Sequence, residues 1–458
     1  MLRALFLFFL LLFSVSGLLA QPSHNVRLLC NWNDTTNAPV NGAGQHWNDV
    51  WGFSWKGREY AVIGGTNGAH VIDVDLCQQK AFLPGTTQMV IHRDFKTYSH
   101  YLYAIADEGF ARMQVYDFSY LPDSLHLVWQ SDPYEFSRAH GMFIDTAKAR
   151  LYCASAEDLN GRHANIAAFS LANPEAPSLI KRINDYDNTS HLYVRSDTAW
   201  CSNGPSGMLI LDMSGLPNTR IIGGLINYPE KGFNHSSWIG YDQFGVMTDE
   251  SFGKQVKVID ARDPLLVQVR GMFSPRGADT TSIAHNPYLL GHYALVSYYQ
   301  DGLQIYDVSD PDHPQRTGWY DTYPGPDIQT TAGAWGAYPF LPSGKILVSD
   351  MQTGLYVMDI TDATPKLGVS SIPKNLTVSI APNPANDVLS IRLPESVRGN
   401  ATIEVYSSDG RLLLRITGEW PKSFPAQQVS LPAGMPAGLY LLRMQAGGQN
   451  FSARFIKR

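Results

Sequence analysis

Short runs in which alternate positions are apolar recur along this chain at wide and regular intervals. GAHVIDV, RMQVYDF, NIAAFSL, GMLILDM, QVKVIDA, GLQIYDV and GLYVMDI share one pattern, with Asp or Ser at the penultimate place: Asp73, Asp117, Ser170, Asp212, Asp260, Asp307 and Asp359. The intervals between them are 44, 53, 42, 48, 47 and 52 residues. Self-similarity at such a period is the mark of a repeat architecture.

Each copy carries further strand signals around the repeated run. In the third, HGMFID precedes the turn TAKA, and RLYCASAE, NIAAFSL and SLIKRIND follow, each short and bounded by Gly, Pro, Asn or Asp. Four strands per unit at 40 to 50 residues is the arithmetic of a propeller blade. The pattern predicts an all-β chain whose main part is a seven-bladed β-propeller. Propellers close their ring by building one blade from two distant segments, and VRLLCNWN, Val26 to Asn33, reads like a fourth strand that precedes the first blade. It is expected to pair with GLYVMDI and complete blade seven.

One repeat junction, SDPDHPQ, crowds Asp310, Asp312 and His313 behind Asp307. Four potential ligands raise the question of a metal loop, but the glycine and terminal glutamate of an EF-hand are missing. Asp at a strand end accepts hydrogen bonds from amides two residues on, and Pro fixes φ in a turn, so a local structural role is expected.

Composition agrees with short strands: 12% of residues are aromatic and only 17% charged, with abundant Gly and Pro. A net charge of −6 over 458 residues offers no basic field, which excludes nucleic acid as a partner. The opening MLRALFLFFLLLFSVSGLLAQPS has the layout of a secretory signal peptide, residues 1–20, cleaved between Ala20 and Gln21. No later segment is apolar enough for a transmembrane span. Export places Cys30, Cys77, Cys153 and Cys201 where disulfides are permitted. Three connectivities exist for four cysteines. Cys30 and Cys77 fall on neighbouring blades, where a bridge and two free core thiols are both compatible with the pattern.

Candidate chemistry lies where blades begin. Inner-strand starts carry His92 and Asp94, His140, His191, His235 and His285, with Asp49 in blade one. Second-strand ends carry Asp107 and Glu108, Glu157, Asn203, Asp249 and Glu250, and Asp350. The two sets are expected to converge near one channel mouth. Imidazoles and carboxylates together are the donors of a divalent metal site and the acid and base of a hydrolase. Equal repetition of His favours an architectural role instead, with ring nitrogens bonded to backbone between blades. No nucleophile elbow, HExxH, P-loop or Rossmann fingerprint occurs, and no catalytic residue is assigned. Trp47, Trp51, Trp55 and Trp238 are candidates for stacking on sugar rings as well as for blade packing.

Two resemblances add to this. HWNDVWGFSWKGREYAVIGGTNGAHVIDV, RAHGMFID, FNHSSWIGYDQFGVMTDE and GAWGAYPFLPSGKILVSDMQTGLYVMDI resemble the choice-of-anchor B family of LVIVD repeats over residues 25 to 365. That resemblance implies a surface or secreted propeller and supplies no catalytic activity. APNPANDVLSIRLPE, IEVYSSDGRLLL, LPAGMPAGLYLLRM and FIKR predict strands with a turn at Asp409 and Gly410, a small antiparallel, immunoglobulin-like sandwich. Their order resembles the type A sorting domain of the type IX secretion system of Bacteroidetes. The resemblance implies an outer-membrane route, with the type IX machinery as partner of residues 373–458.

The expected layout is a signal at 1–20, a propeller at 21–372 and a sorting domain at 373–458. The expected function is a secreted or surface-attached module that binds a surface protein or a glycan through its loops. A metal-dependent hydrolase at the channel mouth and a structural envelope component are the alternatives.

Overall fold

The computed structural model describes residues 22–365 and 379–458, apart from 35, 187, 241, 276–280, 282, 327, 393–398, 408–411, 421–425, 433 and 447–448. The signal segment with its Ala20–Gln21 junction, the Asp409–Gly410 turn and the 372/373 boundary lie outside the described residues.

The described chain is all-β and holds no α-helix. Residues 22–365 form seven antiparallel sheets of four strands, one of them with a short fifth. Their first strands are Trp47–Trp55, Arg93–Tyr98, Gly141–Asp145, His191–Arg195, Asn234–Ile239, Ala284–Leu290 and Ala334–Tyr338. In the third sheet the strands Gly141–Asp145, Arg150–Glu157, His163–Ser170 and Ser178–Ile183 pair in order, as the alternation predicts.

Repeat residues explain the turns. Asp117, Asp212, Asp307 and Asp359 each accept a hydrogen bond from the amide two residues on, at 2.7, 2.9, 2.9 and 2.9 Å. Asp73, Asp260 and Ser170 do the same. Glycine heads several repeated strands for a steric reason. Gly302 and Gly354 have φ of +68° and +91°, and a Cβ would stand 2.1 Å from the Tyr320 carbonyl or 2.4 Å from that of Trp32.

Segment Arg27–Trp32 pairs antiparallel with Gly354–Asp359, with Leu28 opposite Met358 and Trp32 opposite Leu355, so the seventh sheet takes its fourth strand from the start of the described chain. Just before it, Ser23–His24 adds a fifth strand to the sixth sheet by pairing with Gln315–Tyr320, which the repeat pattern did not foretell.

First strands touch their successors in order through all seven sheets, and Ala334–Tyr338 touches Trp47–Trp55 again. Apolar layers fill each gap between consecutive sheets. Phe53, Tyr60, Val62, Phe95 and Leu102 pack between the first and second, and Ile63, Ile72, Leu347, Leu355 and Val357 between the seventh and first. Each such side chain removed from water contributes about 1.5–3 kcal/mol. The disulfide Cys30–Cys77 crosses this last gap, while Cys153 and Cys201 are buried free thiols.

Residues 379–458 form a three-stranded and a four-stranded antiparallel sheet. Leu389, Ile391 and Val429 of one meet Ile403, Val405, Leu442, Met444 and Phe455 of the other in a shared core. No sheet among the described residues mixes strands from the two regions.

Candidate functional site

Because first strands lie side by side, the residues at their starts converge. His92, His140, His191, His235, His285 and Trp335 come one each from the second to the seventh sheet and close into a ring of rings. Successive centroids are 4.5, 5.0, 4.5, 4.4, 4.9 and 5.2 Å apart, the last from Trp335 back to His92.

This corrects the architectural expectation for the repeated histidine. His285 alone bonds the next sheet's backbone, its Nδ1 lying 2.5 Å from the Trp335 carbonyl oxygen. The other imidazoles face one another, since strand starts aimed at a common axis bring side chains together rather than into the gaps between sheets. His235 is 2% exposed, and neither of its ring nitrogens makes a hydrogen bond of good geometry, although Asn286 and Glu250 lie beside it. His191 Nδ1 likewise makes no such bond.

Burial, followed by the neighbouring imidazoles, holds His92, His191 and His235 well below the usual histidine range. For His235 the adjacent Asn286 side chain partly offsets this. Burial also lowers His285, against the opposing pull of Glu250 and the Trp335 carbonyl. His140 is the exception: burial pulls it down, but the hydrogen bond and charge of Asp107 prevail and raise it.

The carboxylates divide by a single residue of strand position. Asp107 and Glu250, each one place past the end of a second strand, turn to the histidines: Asp107 Oδ2 is 2.7 Å from His140 Nδ1, and Glu250 Oε2 is 3.4 Å from His235 Nδ1. Glu250 also accepts the Tyr299 hydroxyl. Glu157, Asp249 and Asp350 are the last residues within their strands and turn elsewhere. Glu157 pairs with Arg138 at 2.8 Å. Asp249 binds Lys257 at 2.6 Å and the Tyr228 hydroxyl at 2.8 Å. Asp350 accepts the Thr322 hydroxyl at 2.7 Å. The expected convergence thus holds for five histidines, Asp107 and Glu250, and fails for Glu157, Asp249 and Asp350, because successive strand residues point to opposite sides. Glu108 accepts a hydrogen bond from the His92 amide at 3.3 Å.

Deeper along the first strands, Asp49 and Asp94 form a separate acidic pair with Lys96. Lys96 Nζ donates to Asp94 Oδ1 and lies 4.6 Å from the Trp51 ring, while Asp94 Oδ2 accepts the Met142 amide at 2.6 Å. A space of about 50 Å³ here is bordered by Asp49, Asp94, Lys96, Asn286 and His191.

Beyond this layer a cavity of about 380 Å³ opens among Trp51, Phe143, Tyr193, Trp238, Tyr338 and Phe340. The six rings are linked neighbour to neighbour. Phe143–Tyr193 is 5.2 Å, Tyr193–Trp238 4.8 Å, Trp238–Phe340 5.2 Å, Phe340–Tyr338 5.6 Å and Tyr338–Trp51 4.7 Å. Lys96, Arg195, Asp145 and Thr97 add polar groups. Trp47 and Trp55 do not join this belt: Trp47 is fully buried against Trp32 and His70, and Trp55 donates to the Ser119 carbonyl oxygen.

Histidine and belt aromatic share a strand in HLY and HSSW, tryptophan replaces histidine in WGAY, and HNPY puts Tyr288 against the belt, 4.8 Å from Trp238 and 5.8 Å from Phe340. Plain alternation puts His191 and Tyr193 on one side. In the fifth, sixth and seventh sheets a register shift within the first strand does the same for residues three apart. The aromatic two or three places after His140, His191 and Trp335 was the overlooked signal for Phe143, Tyr193 and Tyr338.

The cluster in SDPDHPQ is a surface turn. Asp310 accepts the Asp312 amide at 3.1 Å and contacts His313 at 3.1 Å, while Asp312 is held by Arg270 at 2.6 Å.

In comparison with known families, residues 379–458 match the secretion system C-terminal sorting domain. The described chain therefore carries a type IX sorting domain after its seven sheets, and such a tail implies export through the type IX machinery to the cell surface or extracellular space. No curated protein matches the chain. Among the described residues no helix is long and apolar enough to cross a membrane.

Proposed function

We propose that this chain is an exported seven-bladed β-propeller of the LVIVD-repeat, choice-of-anchor B type that binds a glycan in its aromatic cavity. The propeller would occupy residues 21–372, between a signal at 1–20 and the sorting domain at 373–458. The cyclic succession of first-strand contacts and the strand borrowed from Arg27–Trp32 support the propeller.

The belt of six linked rings around a cavity of about 380 Å³ carries the binding reading. That volume falls in the range of small-molecule sites, about 300–1,000 Å³. A sugar ring offers C–H faces to aromatic surfaces and hydroxyls to Lys96, Arg195, Asp145 and Thr97 at the same time.

Screening the purified chain against a glycan array, with Trp238→Ala beside it, tests the reading. Binding that disappears in the variant supports it. An array without signal, or equal signal from both proteins, removes it and leaves the structural envelope role. Deleting residues 373–458 tests the route, where retention inside the cell is the expected result and unchanged surface delivery overturns it.

A further inference from the structure

We propose that His140, His191 and His235 bind one borderline divalent cation of the zinc class, with Asp107 and Glu250 as positioning carboxylates. The three imidazoles come from successive sheets, and one nitrogen of each lies within 4.8 Å of the other two. Four-coordinate zinc holds its nitrogens at about 2.0–2.1 Å, so they stand about 3.3 Å apart. Small rotations of the side chains close the difference.

His235 supplies the independent sign of a ligand. Its ring is buried, neither nitrogen makes a hydrogen bond of good geometry, and its polar neighbours are the Asn286 side chain and Glu250, whose Oε2 is 3.4 Å from Nδ1. A buried polar group without a partner is costly to a fold. An ion at the centre of the triad gives that nitrogen, and its counterpart on His191, a use.

The surroundings are arranged as metal sites require. Asp107 engages His140 Nδ1 at 2.7 Å, which fixes the ring and leaves Nε2 for the ion. Glu250 stands in the matching place beside His235. Two carboxylates next to the triad balance a dication. Two flanking groups, His92 with Asp107 and His140, and His235 with Glu250 and His285, also have ligand spacing. Each shares a histidine with the central triad, so one ion per chain is the expected occupancy. A donor set of imidazole nitrogens selects zinc, nickel or copper over calcium and magnesium, which take oxygen. The partial exposure of His140 and His191 leaves a fourth position for water.

This site lies apart from the aromatic belt and stands or falls independently of glycan binding. The test is calorimetric titration of the full, metal-stripped chain with ZnCl₂, and with CaCl₂ as control. One equivalent of zinc and no calcium binding is the expected result. The paired change His191→Ala with His235→Ala is expected to weaken zinc binding about 100-fold or more, and Asp107→Asn about 10–100-fold. Circular dichroism of each variant reports folding. Should the paired variant not fold, CoCl₂ decides with the unaltered chain, where the intense visible bands of a four-coordinate nitrogen-rich site are expected. Absent stoichiometric zinc, undiminished zinc affinity in a folded paired variant, or only weak octahedral cobalt bands would each overturn the proposal.

Discussion

Cys30 and Cys77 are joined across the gap between the seventh and first sheets, with Cα atoms 6.2 Å apart. The bridge anchors the strand Arg27–Trp32, which is itself the edge of the seventh sheet, to the turn before Gln78–Pro84. A loop spanning a sequence separation of 47 is thereby closed. Loop entropy of that size is worth about 4 kcal/mol. Replacing both cysteines by serine is expected to lower the stability measured by urea unfolding by about that amount. Reducing agent should then have no further effect on the variant.

Lys257 and Asp249 form an ion pair at 2.6 Å with both side chains fully buried. Burial lowers the Lys257 pKa, and Asp249 opposes the shift. Removing one partner strands the other charge, so Asp249→Ala is expected to cost about 3–5 kcal/mol in chemical denaturation. The double change Asp249→Leu with Lys257→Met should recover most of that loss. A single variant as stable as the parent would show that the pair carries no weight.

Asp49 sets a pH dependence. Burial first, and the charge of Asp94 second, lift its carboxyl from the ordinary 3.8 to about 8, while Lys96 pulls the other way. Between those values the folded chain keeps a proton that the unfolded chain has released. This contribution to stability therefore falls as pH rises from about 4 to about 8 and levels off above it. Asp49→Asn should flatten the fall, most visibly in melting temperatures compared at about pH 5 and pH 8.5. Parallel curves for the two proteins would exclude this carboxyl as the cause.

Trp51 and Trp238 both belong to the aromatic belt, separated by Phe340 and Tyr338. If a sugar stacks there, alanine at either position removes an anchoring contact worth about 2 kcal/mol, or about 30-fold in affinity. Trp47→Ala serves as the contrast, because Trp47 is wholly buried away from the cavity and its loss should act on stability. Titration of the best array ligand into the three variants separates the effects.

Much of the framework was legible in the chain. Seven recurring Asp or Ser residues marked seven strand ends, and each accepts the amide two residues on, a bond that depends on nothing outside the turn. The pairing of Arg27–Trp32 with Gly354–Asp359 followed from the same repeat, because VRLLCNWN reads like a fourth strand that stands before the first copy. The five histidines could be read as a set from their common place at strand starts.

What they do together could not be read, because it depends on side-chain direction summed over six sheets. Asp107 and Asp249 look alike in sequence, both near the end of a second strand, yet one meets His140 and the other Lys257. One residue of strand position separates them, and alternation turns that into opposite faces. The aromatic belt was hidden for a related reason. HSSW and HNPY break the two-residue period, and only the register shifts in the folded first strands return Trp238 and Tyr288 to the side of their histidines. Local hydrogen bonding and strand period are properties of short stretches, so sequence determined the repeat, its turns and its closing strand. The imidazole ring and the cavity arise from distances between residues about 50 positions apart in the chain, set by how sheets pack, and those the tertiary structure decided.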